Sequence, residues 1–360
     1  MAEPGLTTEP SAGPATSPPG LAAYLAGLEQ AADSAAARAG GFRDAFCRLA
    51  GHVVKLRFAG PALVPRLLPA LAHVRTEPVD VPALTVRLFD STTTDTKLPD
   101  PPWPPDAFDG FGKVRASIDG QLNGVFDSGT FSVYRPHHDR GLYWIRDPRD
   151  IGPSETGSPL QTILQLWLGS RGLQVAHAGA VGDNSGCVLL VGNGGAGKST
   201  TALACLPSDD LGILGEDYCL LGPERTPTVH TIYSSAKAND DTLERLPFLR
   251  PMVTNPDRPP SDKALCLLAD HVPGKLVASA PLRAVAIPRI SGRRETTTSE
   301  ATAAAALAAL APSTLLQLHG ADSASLGRLA QAVRTVPCHY LDVGTDPAGV
   351  PGAVHSLLNP

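Results

Sequence analysis

The residues whose spacing says most about chemistry are Gly192-Asn193-Gly194-Gly195-Ala196-Gly197-Lys198-Ser199, followed by Thr200. They fit G-x-x-x-x-G-K-[ST], a loop that cradles phosphates. The flanks agree: Cys187-Val188-Leu189-Leu190-Val191 reads as a buried strand, and Thr200 to Leu206 as the start of a helix. Glycines let backbone N–H groups crowd round the phosphates, and a helix N-terminus adds positive potential. Lys198 is expected to neutralise β- and γ-phosphates, and the Ser199 hydroxyl to ligate Mg²⁺.

Phosphoryl transfer also asks for an acid at the metal and a residue that orients or deprotonates the acceptor. Glu216 and Asp217 follow Lys198 closely and interrupt the apolar run from Leu214 to Leu221. Two carboxylates inside a strand-like segment are costly unless they meet cations. Asp217 is therefore assigned to Mg²⁺, directly or through water, and Glu216 to the general base. The plain alternative is an exposed turn between two strands. The competing pair, Asp209-Asp210, follows Pro207-Ser208 and reads as a solvated loop. His177 lies on the strand just before the P-loop hairpin, where it is either a structural histidine or a neighbour of the phosphates. Lys237 ends the hydroxyl-rich segment Thr231-Ile232-Tyr233-Ser234-Ser235-Ala236-Lys237, either to hold a phosphate or substrate or as a surface lysine. Arg283 and Arg289 bracket an apolar strand and read as surface residues. His137-His138-Asp139 reads as a turn rather than a metal site, since adjacent histidines on a strand point apart.

The elements that must position these groups are legible in outline. Residues 1–19 are mostly Pro, Ser, Thr, Gly and Ala, which predicts a disordered tail. Residues 20–41 form a helical segment, Leu21 to Arg38, stopped by Gly40-Gly41. Residues 42–150 read as a small α+β domain with alternating strands at 53–58 and 84–89 and a meander over 114–145. Residues 151–360 form an α/β P-loop domain, with an amphipathic helix at 159–170, strands at 174–181 and 187–191, and an Ala-rich helix at 300–311 that ends at Pro312.

Whole-chain properties narrow the classes. The 360 residues carry a formal charge of −5 and no Lys/Arg-rich run, so no nucleic-acid partner is expected. Only seven of the 30 basic residues are Lys, which makes a lysine in a polar loop conspicuous. The six cysteines are scattered, with no C-x-x-C, and read as reduced thiols. No basic-then-apolar leader opens the chain, and its longest apolar stretch, Ala303 to Ala311, is too short to span a bilayer. No membrane association and a cytoplasmic location are therefore expected. No Asn-Lys-x-Asp guanine motif occurs.

The order of these features resembles the HPr kinase/phosphorylase family. Shared are a His-small-Gly strand, a hairpin, the Gly-rich Lys-Ser loop and an acidic pair on a following strand. Gly194 to Leu206, Gly215 to Leu221, Val229 to Lys237, Pro281 to Arg289 and Ala311 to Leu318 carry a closer resemblance to a bacterial serine-kinase branch of that family. The resemblance covers about 150–360. It implies a P-loop kinase core of the HPr kinase/phosphoenolpyruvate carboxykinase type, with a smaller α+β domain before it. It implies ATP·Mg²⁺-dependent transfer of the γ-phosphoryl group to a serine hydroxyl, with His177, Lys198 and Ser199 at the phosphates and the acidic pair as base and metal ligand. The acceptor would be a peptide or protein; a small-molecule hydroxyl, or a nucleotide-binding regulatory module with little turnover, are the alternatives. A homo-oligomer is compatible with this reading. The family usually has Asp-Asp where this chain has Glu216-Asp217, one methylene longer at the first acid.

Overall fold

The computed structural model describes residues 20–103, 123–127, 129–318 and 323–359. The expected tail at 1–19 and the expected strand at 114–118 lie outside them. The fold is mixed α/β, built on a six-stranded sheet, a nine-stranded sheet and a two-stranded ribbon.

The first sheet comprises β1 (Phe42–Leu49), β2 (His52–Ala59), β3 (Leu84–Asp90), β4 (Asn123–Asp127), β5 (Thr130–Arg135) and β6 (Arg140–Ile145), in the order β1-β2-β3-β6-β5-β4. Ala50 and Gly51 turn the first hairpin, both with positive φ, as the right-handed twist of a two-residue loop requires. The meander turn at His137-His138 is one short 3₁₀ turn closed by Asp139 in the left-handed region, and both histidines are exposed.

Period-two patterning decides what covers each face. Along β3, Leu84, Val86 and Leu88 point to one side and Phe89 to the other. The Phe89 side packs under the helix Leu21–Arg38, whose Leu21, Tyr24, Leu25, Leu28 and Ala32 recur at helical spacing. The Leu84 side packs under the helix Gln161–Ser170, through Ile163, Leu164, Trp167 and Leu168. That helix comes very close at Gly141, where an added Cβ would lie 2.9 Å from Ile163. The same core continues into Val175, Leu220, Ile232 and Tyr233 of the second half of the chain. Packing thus runs straight across the 150/151 boundary expected from sequence.

The second sheet contains β7 (Gln174–Ala176), β8 (Gly179–Asp183), β9 (Gly186–Leu190), β10 (Gly212–Gly215), β11 (Cys219–Leu221) and β12 (Thr228–His230). The ribbon is β13 (Ser235–Ala238) with β14 (Ala264–Leu267); β15 (Ser279–Ile290), β16 (Thr297–Ala301) and β17 (Cys338–Val343) complete the second sheet. The twelve-residue β15 is its spine, pairing with β12 at its start, with β9 in parallel at its middle and with β17 in parallel at its end. The apolar run of β9 is explained by burial on both faces. Val188 and Leu190 meet the helices Lys198–Ala204 and Val350–Leu358, while Cys187 and Leu189 meet the helices Ala303–Gln317 and Ser323–Arg334.

The Ala-rich helix does not end at Pro312. It runs from Ala303 to Gln317. Proline removes one N–H; here the Ser313 hydroxyl donates back to the Leu310 carbonyl within the helix, and one tertiary contact holds the next turn, the His177 backbone N–H donating to the Thr314 hydroxyl at 3.1 Å. All six cysteines are buried and unpaired. Among the described residues, no helix is long and apolar enough to cross a membrane.

Trp167 is fully buried at the centre of the core that joins the two halves. Trp167→Ala is expected to lower unfolding free energy by about 3–5 kcal/mol, seen as a fall in the urea midpoint at an unchanged m-value.

Candidate functional site

The P-loop leaves the end of β9, where the Val191 N–H donates to the Ala286 carbonyl at 2.9 Å. Gly195 and Gly197 have φ of 81° and 94°, a region where a side chain is strained. Lys198 opens the helix Lys198–Ala204 and folds back over the loop, its Nζ donating to the carbonyls of Gly192 at 2.7 Å and Asn193 at 3.3 Å. Burial pushes the Lys198 ammonium below the ordinary lysine range, against the opposing charges of Asp217 and Glu216. The helix has only seven residues. So short a helix contributes little dipole, and any anion held here would rest on the loop amides and Lys198. Thr200 shares a hydroxyl contact of 2.9 Å with Thr242, which ties this helix to the next wall of the site.

Two expectations are corrected here. The segment 174–181 is not one strand: it breaks at His177-Ala178 into β7 and β8. The acidic pair is not inside a strand either; it occupies the break between β10 and β11. The reason is pairing. β8 runs against β10, and β7 against β11, so both chains step from one half of the sheet to the other at the same level. Gly215 permits the step, since a Cβ there would lie 2.3 Å from the Tyr218 carbonyl oxygen.

The coincident breaks bring His177 and Asp217 together, Nε2 to Oδ1 at 2.9 Å. Lys237, on β13, reaches the other oxygen of Asp217 at 2.8 Å. Burial alone would raise the Asp217 pKa, but the His177 hydrogen bond and the Lys237 charge outweigh it, and the carboxyl is held well below the usual range. Glu216 behaves oppositely. It is 2 % exposed, and burial with the neighbouring Asp217 charge pushes it up to about 7. The Lys237 backbone N–H donates to its Oε2 at 3.0 Å, and the Ser199 hydroxyl also favours the ionised form. Its Oε1 has no full hydrogen bond among the described residues. The Tyr218 ring lies 5.2 Å from the His177 ring and 5.7 Å from the Lys237 ammonium, flooring the cluster.

These groups line a cavity of about 450 Å³. Of the residues expected from sequence, His177, Gly194, Gly195, Ala196, Gly197, Lys198, Ser199, Thr200, Asp217 and Lys237 are on its wall. Gly192 and Asn193 sit beneath, holding Lys198 through their carbonyls. Glu216 stands behind the wall rather than on it. Lys237 is no surface lysine, its side chain being 13 % exposed. Arg283 and Arg289 are elsewhere, on Ser185 and Asp342. Sequence reasoning missed Lys263, Asp241 and Gln317, which also line the cavity. Only the rarity of lysine could have drawn attention to Lys263. Among the described residues, no group of three His, Cys, Asp or Glu side chains forms a metal cage.

No family model matches the chain, and no curated protein matches it. Among solved structures, the HPr(Ser) kinase/phosphatase from Coxiella burnetii is similar at 12% identity, over 51% of this chain and 95% of that one, with a TM-score of 0.28. So slight a likeness carries no functional argument, and the site stands on its own geometry.

The Glu216 shift has a consequence for stability. Its proton is held more tightly in the folded chain than in the unfolded one, so this contribution is present at low pH and is lost as pH rises through about 7. In chelator-treated protein, thermal midpoints of wild type relative to Glu216→Gln are expected to fall between pH 4.5 and about 7 and to level off above that. A constant difference across that window would contradict the assignment.

Proposed function

We propose that this protein is an ATP-dependent kinase that transfers the γ-phosphoryl group to a serine hydroxyl, on a peptide or protein. The observation that carries the reading is the meeting of a P-loop lysine with the His177–Asp217–Lys237 network on the wall of one cavity. The serine acceptor rests on the sequence resemblance; a small-molecule hydroxyl would use the same groups.

The donor set fits Mg²⁺. Ser199 would supply a hydroxyl, and Glu216, whose Oε1 makes no full hydrogen bond among the described residues, a hard carboxylate oxygen beside it. When bound, Mg²⁺ supplies charge neutralisation on the phosphates. This allocation reverses the one expected from sequence, because both oxygens of Asp217 are already engaged while it faces the cavity. Asp217 is then the acceptor that orients the substrate hydroxyl. Its lowered pKa suits that task, since a loose phosphoryl-transfer transition state needs alignment more than early proton removal. His177 and Lys237 keep Asp217 ionised and fixed. Lys198, released from its loop carbonyls, binds phosphate oxygens, and the loop amides stabilise the charge that develops on them.

A second reading, a nucleotide-binding regulatory module, is favoured by one observation: Glu216 is off the cavity wall. The two readings part on turnover. Lys198→Ala is expected to reduce transfer from labelled ATP by at least about 10²-fold. Asp217→Asn is expected to lower kcat by about 10²–10⁴-fold while ATP still binds. Full turnover in Asp217→Asn would remove it from the mechanism. ATP binding by wild type without transfer to any protein, peptide or small hydroxyl compound of its own cell would favour the regulatory module.

A further inference from the structure

Three of the chain's seven lysines line this one cavity: Lys198, Lys237 and Lys263. The first two have evident partners. Lys198 is bonded to loop carbonyls and Lys237 to Asp217. Lys263 has no carboxylate within ion-pair distance among the described residues. The nearby acid on that wall, Asp241, is paired with Arg245 at 3.1 Å.

The placement of Lys263 follows from the β13–β14 ribbon. Its antiparallel register sets Lys237 opposite Leu265 and Ala238 opposite Ala264. Continuing one step sets Asn239 opposite Lys263. Side chains two apart on a strand share a face, so Lys237, Asn239 and Lys263 project from the same face, and all three line the cavity. The ribbon is therefore a second wall that carries two ammonium groups toward the P-loop. Lys263 is exposed, so its ammonium stays hydrated and mobile until an anion arrives. Its charge already bears on Lys198, which it disfavours in the protonated form. Three ammonium groups face two carboxylates on this cavity, Asp217 and Asp241, and Asp241 is already paired with Arg245, which leaves a positive excess that an anionic ligand would neutralise.

We propose that Lys263 is a phosphate-binding residue that holds the terminal phosphate of a nucleoside triphosphate across the cavity from Lys198, and so distinguishes ATP from ADP. This inference rests on the kinase reading and names a residue for it.

The test is calorimetric titration of the full chain with Mg·ATP and with Mg·ADP. Lys263→Ala is expected to weaken Mg·ATP by about tenfold, the size of one charge-assisted contact, while Mg·ADP stays within about twofold and Lys263→Arg restores most of the difference. Unchanged affinity for both nucleotides, or an equal loss for both, would overturn it. So would a variant that binds both normally and shows only a raised KM for the acceptor. Lys198→Ala in the same titration separates the two claims. If it loses nucleotide and Lys263→Ala does not, the site reading stands and the role of Lys263 falls. If wild type binds neither nucleotide, both fall together.

Discussion

The site depends on how one partly buried carboxylate stays charged. Asp217 sits at the break between β10 and β11, its side chain only 22 % exposed. Taking such a group out of water costs several kcal/mol, and unpaired it would take up a proton. Two partners within 3 Å reverse the balance: the His177 ring nitrogen on one oxygen and the Lys237 ammonium on the other. Glu216, the adjacent residue, has only an amide and a hydroxyl to support it, and there burial wins. One dipeptide thus contains an acid held ionised and an acid held near neutrality. Pairs driven apart in this way mark sites where two carboxyl groups have different tasks.

The three partners of this cluster come from three places, so the rest of the fold must hold them in register. The Thr314 hydroxyl fixes the backbone at His177. Lys237 is positioned by the segment before it, which is strapped to the N-terminal half. The N–H and the hydroxyl of Ser234 both donate to the Ala70 carbonyl, at 2.8 and 3.2 Å. The Ser235 hydroxyl donates to Gly157, and that of Tyr233 to Pro159 at 3.0 Å. The first sheet is therefore more than an appendage. Its core runs on into Ile232 and Tyr233, and through them it bears on the lysine that keeps Asp217 ionised. Disturbance of the Trp167 core would reach the site by this route.

Much of the local architecture was readable from residues alone. The helix Leu21–Arg38, the strands over 53–58 and 84–89 and the P-loop all follow from contiguous patterning, whereas the partner strand Phe42–Leu49 and its hairpin were not read. The misreadings share a cause. The segments 174–181 and 214–221 look like single strands because apolar residues flank their polar interruptions on both sides; the breaks arise because each half pairs with a different half of its neighbour. The Ala-rich helix looked finished at Pro312, yet Thr314 has a partner in another segment. Lys237 could be surface or site by spacing, and its partner Asp217 is on another strand.

By itself the sequence determined the Gly-rich loop, because its requirements are local: glycines where φ is positive, a lysine able to reach back over its own loop, and a hydroxyl next to it. It also determined that acids must lie near, since carboxylates in an apolar run need partners. Only the tertiary structure decided which acid faces the cavity, which lysine neutralises it and which lysine is left unpaired. Those outcomes depend on pairing between strands far apart in the chain, and on burial that only the assembled layers create. Electrostatic character in this protein is a property of place, and residue type alone does not set it.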